Sequence, residues 1–530
     1  MADGISKFWQ ELKRRKVVRV AIGYVVLAWV LVEASSVLFP ALLLPDWSSR
    51  LVVALALVGF PIAVYLAWAL EVTDAGLRRD PADTAAQPLA LAVPSLSEWK
   101  DERRSIVVLP FANMSDSAEN EYFSDGVTEE ILNLLARQPD LRVVSRTTSF
   151  SLKGCDQDVR AVAEKLEVEM VLEGSVRRAG NRVRIIAQLI DAATDAHLWS
   201  DSFDREIEDI FAVQSEIARS IVDAMDLDID CCKPSEATTG NIEAYDYYLR
   251  GRQYFHTVTG EGLNIARQLF GKAIEIDPEF ARAYAGLADT ESLIAQWFNR
   301  SPEVLAAADR ASRKALQLAP ELAEAHSSRG FALSLKGDLA SASREFEHAL
   351  ALDPQNYEAL YLYGRSRFAE GRLAEAAELW GRAHATQPDE FQSIALRSVA
   401  LRHSDPEASR RATELSVAAI RRRLELNPDD LRALSLGAGQ LVAAGFVDEG
   451  VAMAERALEL APRDIGVLYN ATCCFASAGF KEQALSTLER RLEVAGTIYR
   501  EWVENDSDFD SVRGDPRFQA LLERMPRIAP

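Results

Sequence analysis

Histidine, cysteine and basic charge are all scarce in this chain, and each scarcity closes off a class of function. The six histidines stand at 197, 256, 326, 348, 384 and 403, with no grouping with cysteine at metal-ligand spacing. The five cysteines are Cys155 and two adjacent pairs, Cys231/Cys232 and Cys473/Cys474. Adjacent cysteines rarely bridge each other and no CxxC spacing occurs, so idle thiols in a reducing compartment are expected rather than a disulfide scaffold. Lys and Arg number 59 against 80 Asp and Glu, a net charge of −21. A nucleic-acid binder needs a basic face to replace counterions, and none is present, so no nucleic-acid partner is expected. There is no GxxxxGK[ST] loop, no GxGxxG after a strand, no HExxH and no GxSxG. No catalytic residue, cofactor or metal is therefore expected, and the chain is not read as an enzyme.

What is present is a repeat. Prolines at 278, 320, 354, 388, 428 and 462 close apolar runs such as LALDP, LELNP and LELAP, with gaps of 42, 34, 34, 40 and 34 residues. Gly337, Gly371, Gly445 and Gly479 keep the same phase. A period of 34 with small residues inside it marks a helix–turn–helix solenoid. Within 321–354 the small residues Gly330, Ala342 and Ala349 flank Phe346; the next repeat sets Gly364, Ala376 and Ala383 beside Trp380. Small residues let two antiparallel helices approach, and the aromatic fills the space beside them. Gly337 and Gly371 fall where the first helix of a repeat must end in a left-handed cap.

On these residues the chain resembles the tetratricopeptide repeat family over 241–495, in about seven repeats, with longer repeats at 279–320 and 389–428. The resemblance implies an all-α solenoid whose first helices line a concave groove for a peptide or helix of a protein partner. Groove positions by repeat phase are Ser327, Phe331, Tyr361, Arg365 and Phe368. Family members that grip a C-terminal carboxylate place Lys and Asn at the positions held here by Ser327 and Phe331, and by Tyr361 and Arg365, which disfavours that ligand. Phe331 and Phe368 equally suit packing between repeats. Trp297 and Phe298 lie in an insertion, as an exposed contact or as cover for an edge. The segment 496–530 departs from the period and reads as a cap, which the open end of a solenoid needs.

The amino-terminal end has a different character. Residues 1–19 are basic, with Lys7, Lys13, Arg14, Arg15, Lys16 and Arg19. Two apolar stretches, Val20 to Phe39 and Leu51 to Leu70, are each long enough to span a bilayer. We read 20–71 as a transmembrane hairpin in the inner (cell) membrane, the basic segment in the cytoplasm and the soluble domains returned to the same side. Glu33 is the one charge in the two apolar stretches: an intramembrane polar contact, or a carboxylate near the interface beside Ser35 and Ser36. If one segment fails to span, the soluble domains become periplasmic. Residues 72–104, rich in Pro, Ala and Ser, read as a linker.

Between linker and array, 105–230 reads as a compact α/β domain in the order β-α-β-α-β-β-β-α. SIVVLPF is a buried strand. Asp125 reads as a helix cap, with Glu129 and Glu130 in the first turn. LRVVSRTTSF reads as a strand, and Ala179–Gly180–Asn181 as a hairpin turn. Asp125, Glu129 and Glu130 could form a carboxylate cluster, but a capped helix start accounts for them. His197, beside Asp195, Trp199 and Asp201, suits a surface turn. The runs SIVVLPFANMS, EYFSDGVTEEILNLLA and VLEGSVRRAGNRVRIIAQLIDAATDAHLWSDSFDRE resemble the TolB amino-terminal-like domain, related to the CsgG and FlgO envelope domains. The resemblance implies no enzymatic activity.

The sequence thus predicts a multidomain chain: a two-helix transmembrane hairpin, a single-sheet α/β domain and an all-α solenoid. Its expected role is a membrane-anchored scaffold or sensor that binds protein partners in the groove and the lipid bilayer through its hairpin. The α/β domain would be a second contact or a homo-oligomer surface. The alternative is a regulatory subunit acting on a separate cyclase or kinase.

Overall fold

The structure is a computed structural model that describes residues 70–73, 76–79, 103–115, 120–138, 140–154, 159–227, 239–494 and 500–527. The chain divides into two units, Met1–Ala92 and Val93–Pro530. In the first, β1 (Leu70–Thr73) pairs antiparallel with β2 (Gly76–Arg79). The predicted membrane hairpin at 20–71, with Glu33, lies outside the described residues apart from Leu70 and Glu71. Among the described residues no helix is long and apolar enough to cross a membrane.

The second unit opens with a mixed sheet in the order β5-β3-β6-β7-β8. Its strands are β3 (Arg104–Val108), β5 (Leu141–Val143), β6 (Met170–Ala179), β7 (Arg182–Asp191) and β8 (Ala196–Glu206), with the short β4 (Ala112–Asn113) beside β6. β3 is parallel to both neighbours, with Ile106 opposite Val143 and Met170. The meander β6-β7-β8 is antiparallel, turning at Gly180, whose φ of +60° suits glycine. The central residues Ile106, Val107, Val108, Val171 and Leu172 are fully buried, as strands covered on both faces require. Helices α1 (Glu121–Ala136) and α4 (Ile210–Ala224) cover one face, and α3 (Val159–Leu166) covers part of the other.

Two local expectations need correction. LRVVSRTTSF is not one strand: β5 ends at Val143, and Arg146–Ser151 forms helix α2. Ser145 caps that helix, its hydroxyl accepting from the Thr148 N–H, and this local bond outcompetes the ladder that the alternation suggested. Nor does Asp125 cap α1, which begins a turn earlier at Glu121; Asp125 points to Lys153 Nζ at 2.5 Å.

Seven helix pairs follow: α5 (Ile242–Phe255) with α6 (Gly260–Ile276), α7 (Ala281–Trp297) with α8 (Pro302–Leu318), and α9 (Ala323–Leu335) with α10 (Leu339–Leu352). Then come α11 (Tyr357–Ala369) with α12 (Leu373–Thr386), α13 (Phe391–Leu401) with α14 (Pro406–Leu426), α15 (Leu431–Ala443) with α16 (Val447–Leu460), and α17 (Ile465–Ser477) with α18 (Lys481–Glu493). The four phased glycines take φ of +84°, +77°, +92° and +85° and end the first helices of their pairs. A Cβ on Gly330 would stand 2.9 Å from the Phe346 ring, and one on Gly364 would stand 2.5 Å from Trp380 Nε1. The aromatic therefore occupies the space the glycine leaves.

Candidate functional site

The α/β domain is joined to the array by a shared core. Tyr245, Tyr248 and Leu249 of α5 and Phe270 of α6 belong to the same buried cluster as Val127, Ile131, Ile217 and Ile221 of α1 and α4. Gly126 permits the contact, since a Cβ there would meet Leu249 at 2.6 Å. Phe211 packs edge-on against Tyr245, their ring centroids 4.6 Å apart.

Ion pairs ring this core. Glu129, buried on α1, accepts from Arg252 and from Arg146 Nε at 2.9 Å, with His256 Nε2 at 3.2 Å. Burial opposes its charge, but Arg252, Arg146 and His256 outweigh burial and hold the carboxyl well below its usual range. Burial, reinforced by Arg146, lowers His256 to about 4. Glu130 pairs with Arg282 at 3.0 Å, and Arg178 grips Asp246 with two bonds of 2.7 Å. Farther along, Arg137 reaches Glu324 at 3.2 Å, the Ser145 hydroxyl donates to Asp389 at 2.6 Å, and Arg423 donates to the Thr147 carbonyl at 2.9 Å. Arg282 and Glu324 stand in the first turns of α7 and α9, Asp389 just before α13 and Arg423 in the last turn of α14, so the domain braces one rim of the array.

The carboxyl-terminal segment braces the other rim. Helix α19 (Arg500–Asn505) and the turn Ser507–Phe509 lie against the far ends of α11, α13 and α17, and α20 (Pro516–Glu523) follows. Trp502 packs on Phe368 at 4.6 Å between centroids, Asn505 Nδ2 donates to the Phe368 carbonyl at 2.9 Å, and Asp508 pairs with Arg402 at 2.6 Å. Tyr469 Oη donates to Asp506 at 2.6 Å, and Cys473 Sγ lies 3.8 Å from the same oxygen.

Of the predicted groove residues, three are buried and two are half-buried. Ser327, Phe331 and Phe368 are buried: Phe331 packs with Ile294 and Leu360, and Phe368 with Trp380 and Val399. Tyr361 is half-buried, and the Arg365 guanidinium stands over the rings of Trp502 (4.7 Å), Trp297 (5.5 Å) and Tyr361 (5.8 Å). Trp297 and Phe298 line a cavity of about 170 Å³ with Thr259, Arg463, Ile465 and Val494, where the first two pairs meet the last two. Carboxylates also lie along and beside the braced rim: Asp289 within α7, Glu358 in the first turn of α11 and Glu390 at the start of α13. Burial pushes Asp289 up to about 7, with Glu358 and Glu324 adding to the shift. Burial also raises Glu358, together with Glu390. Glu358 nevertheless reaches water. His197 is exposed on β8.

Sequence reasoning assigned Asp125, Glu129 and Glu130 to a helix start and missed their partners Lys153, Arg252 and Arg282. The one local signal was Gly126, a glycine within a helix, marking a close approach. Asp506 was missed as well. Burial pushes it up to about 7, with Asp508 adding to the shift and Tyr469 opposing it. A folded pKa raised above the usual carboxylate value gives stability that is complete below about pH 4 and lost as pH rises through 7. Asp506→Asn is expected to remove this component. Unfolding free energies of wild type and variant, measured from pH 4 to 8, should diverge steadily over that window in favour of the variant; parallel curves would show that Asp506 ionises normally.

Over residues 102–220 the chain matches the family model of the second domain of HilA/YgeH-like transcriptional regulators, and over 333–398 a tetratricopeptide repeat model. The array is thus of the tetratricopeptide class, an architecture for binding proteins. A Rhizobium meliloti (strain 1021) protein named "Putative adenylate cyclase 3" is 39% identical over 261 residues, 48% of this chain and 43% of that protein. The chain therefore spans less than half the length of this relative. Similar solved structures include YrrB, described as a tetratricopeptide protein with an unusual peptide-binding site (22% identity, 34% of this chain and 91% of that one, TM-score 0.24). PilW, a type IV pilus biogenesis factor, is 17% identical over 43% of this chain and 97% of its own (TM-score 0.31). TolB from Acinetobacter baumannii is 13% identical over 23% of this chain and 28% of its own (TM-score 0.18).

Proposed function

We propose that this chain is a membrane-anchored scaffold that receives a segment of a protein partner in the concave interior of its array. The observation that supports the reading most is a set of carboxylates beside the braced rim, Asp289 on α7, Glu358 in the first turn of α11 and Glu390 at the start of α13, whose ionisation is disfavoured where they stand. A segment carrying Lys or Arg would relieve that cost, since an opposite charge restores the ionised form. The α/β domain is a rigid brace and a second contact. The hairpin at 20–71 holds the assembly at the inner membrane, with Glu33 inside it and the soluble domains in the cytoplasm.

A photo-reactive residue placed at Glu358 in the full chain tests this against one placed at Leu352, which is exposed on a second helix. We expect one discrete partner to cross-link at 358 only, and to be lost when Glu390 is changed to Lys. Equal cross-linking at both positions, or persistence in the reversed variant, rejects the interior as the site. Reporter fusions after Arg104 and at the carboxyl terminus test the sidedness, a periplasmic signal overturning it. The adenylate cyclase name of the Rhizobium relative favours a second reading, a regulatory subunit of a separate signalling enzyme. Under that reading the cross-linked partner is a cyclase or kinase whose activity changes when this chain is deleted.

A further inference from the structure

β8 ends the sheet, and among the described residues no strand covers its outer edge. Such an edge presents a row of unpaired N–H and C=O groups and is a template for another strand. Two features bound the part able to pair. The register with β7 slips between Leu189 and Ile190, which places a bulge at Leu198, and the chain leaves the strand for a turn at Ile207. The regular stretch is therefore Trp199–Glu206. A bulge turns an edge aside, so a new strand is confined to this stretch.

The residues of that stretch complement a second copy of themselves. In a continuous antiparallel sheet built by a two-fold axis through the edge, directly opposite residues share a face, so the centre of symmetry falls on a residue. For a stretch of this length it falls on Ser202 or Phe203. Centring on Ser202 sets Asp201 against Phe203 and Arg205 against Trp199. Centring on Phe203 sets Asp201 against Arg205 twice, Ser202 against Asp204 twice, and Ser200 against Glu206 twice. Opposite charges directly across a pair of strands stabilise it. Both charges are available: Asp201 is exposed, accepts the Ser202 N–H at 2.7 Å and has no ion pair among the described residues. Arg205 is exposed, and its carboxylate neighbour Glu216 lies 3.9 Å away. The neighbouring outer surface carries the exposed apolar side chains Ile186 and Leu198, beside which a second copy would lay its own.

We propose that β8 is a homodimer surface, two copies joining edge to edge in an antiparallel register centred on Phe203. The inference is independent of what the array binds.

The test uses the full chain with Cys155, Cys231 and Cys232 changed to Ser. Ser200→Cys with Glu206→Cys puts two cysteines directly opposite in this register, within disulfide reach, whereas Ser200→Cys with Asp204→Cys matches the register centred on Ser202. Mild oxidation is expected to give a reducible dimer band from the first pair only. A dimer from the second pair alone, or from neither, overturns the proposal. In detergent-purified protein, light scattering is expected to show Asp201→Arg or Arg205→Asp halving the mass of the wild-type species, and the combined exchange restoring it. A wild-type protein of single-chain mass, or a combined variant that stays monomeric while folded by circular dichroism, also overturns it.

Discussion

Glu129→Gln is expected to lower the stability of the joined α/β domain and first repeat by about 3–5 kcal/mol, the range for breaking a buried ion pair from one side. Glutamine keeps the shape and removes the charge, so Arg252 and Arg146 stay in a partly buried seam without their carboxylate. The loss should be concentrated at the seam. Hydrogen exchange should accelerate in α1 and α5 and stay near wild type in α20, which packs within the carboxyl-terminal core around Phe509. A uniform change along the array would reject the seam as the cause. Acid should act on the same place. His256 is held at about 4 in the folded state, below the usual value near 6.5. The unfolded chain therefore takes up a proton first, and stability falls as pH drops from about 6.5 toward 4. The Glu129 carboxyl, held well below its usual range, adds its loss only below about pH 4.5, where the unfolded chain's carboxyl takes up a proton first.

Trp380→Ala is expected to cost about 3–5 kcal/mol, the usual range for truncating a buried aromatic. Trp380 is fully buried, fills the space left by Gly364 and donates from Nε1 to the Tyr361 carbonyl at 3.2 Å. Phe368 packs on it, and Trp502 packs on Phe368, so the damage should reach the carboxyl-terminal segment. The readout is protease sensitivity near Asn505 along with the denaturant midpoint. A variant with a lowered midpoint but an intact terminal segment would separate the two. Gly364→Ala attacks the contact from the other side and should move the midpoint the same way, because indole and Cβ cannot share the site.

The array was legible because its signal is local and repeated. A 34-residue period, a proline after each second helix and a glycine after several first helices all state the same geometry. The order of strands and helices in the α/β domain was legible for similar reasons, and the exception is instructive. In LRVVSRTTSF the alternation predicted a strand, yet Ser145 caps a helix there, and its hydroxyl also meets Asp389, more than two hundred residues away. The joining of the domains was not legible. Glu129 with Arg252, Glu130 with Arg282 and Asp508 with Arg402 are pairs between distant residues, and a helix-start carboxylate looks the same with or without a distant arginine. The same limit applies to the predicted groove: repeat phase places Tyr361 and Arg365 together on one first helix, but only the fold brings Trp297 and Trp502 to the guanidinium.

The carboxyl-terminal segment changes the mechanics of the array. A solenoid whose repeats touch only their neighbours behaves as a spring: small rotations at each joint add up to a large change of pitch. Here Asn505 is tied to the fourth pair, Asp508 to the fifth, and Asp506 and Ser511 to the seventh. One short stretch thus crosses several joints and fixes their angles together. Within that span the compliance expected of a free solenoid is replaced by the stiffness of a strut. Tension applied along the array should meet the same resistance in its amino-terminal half, where the α/β domain crosses the joints, and the half held by this segment should yield only in a single step, when the segment peels away.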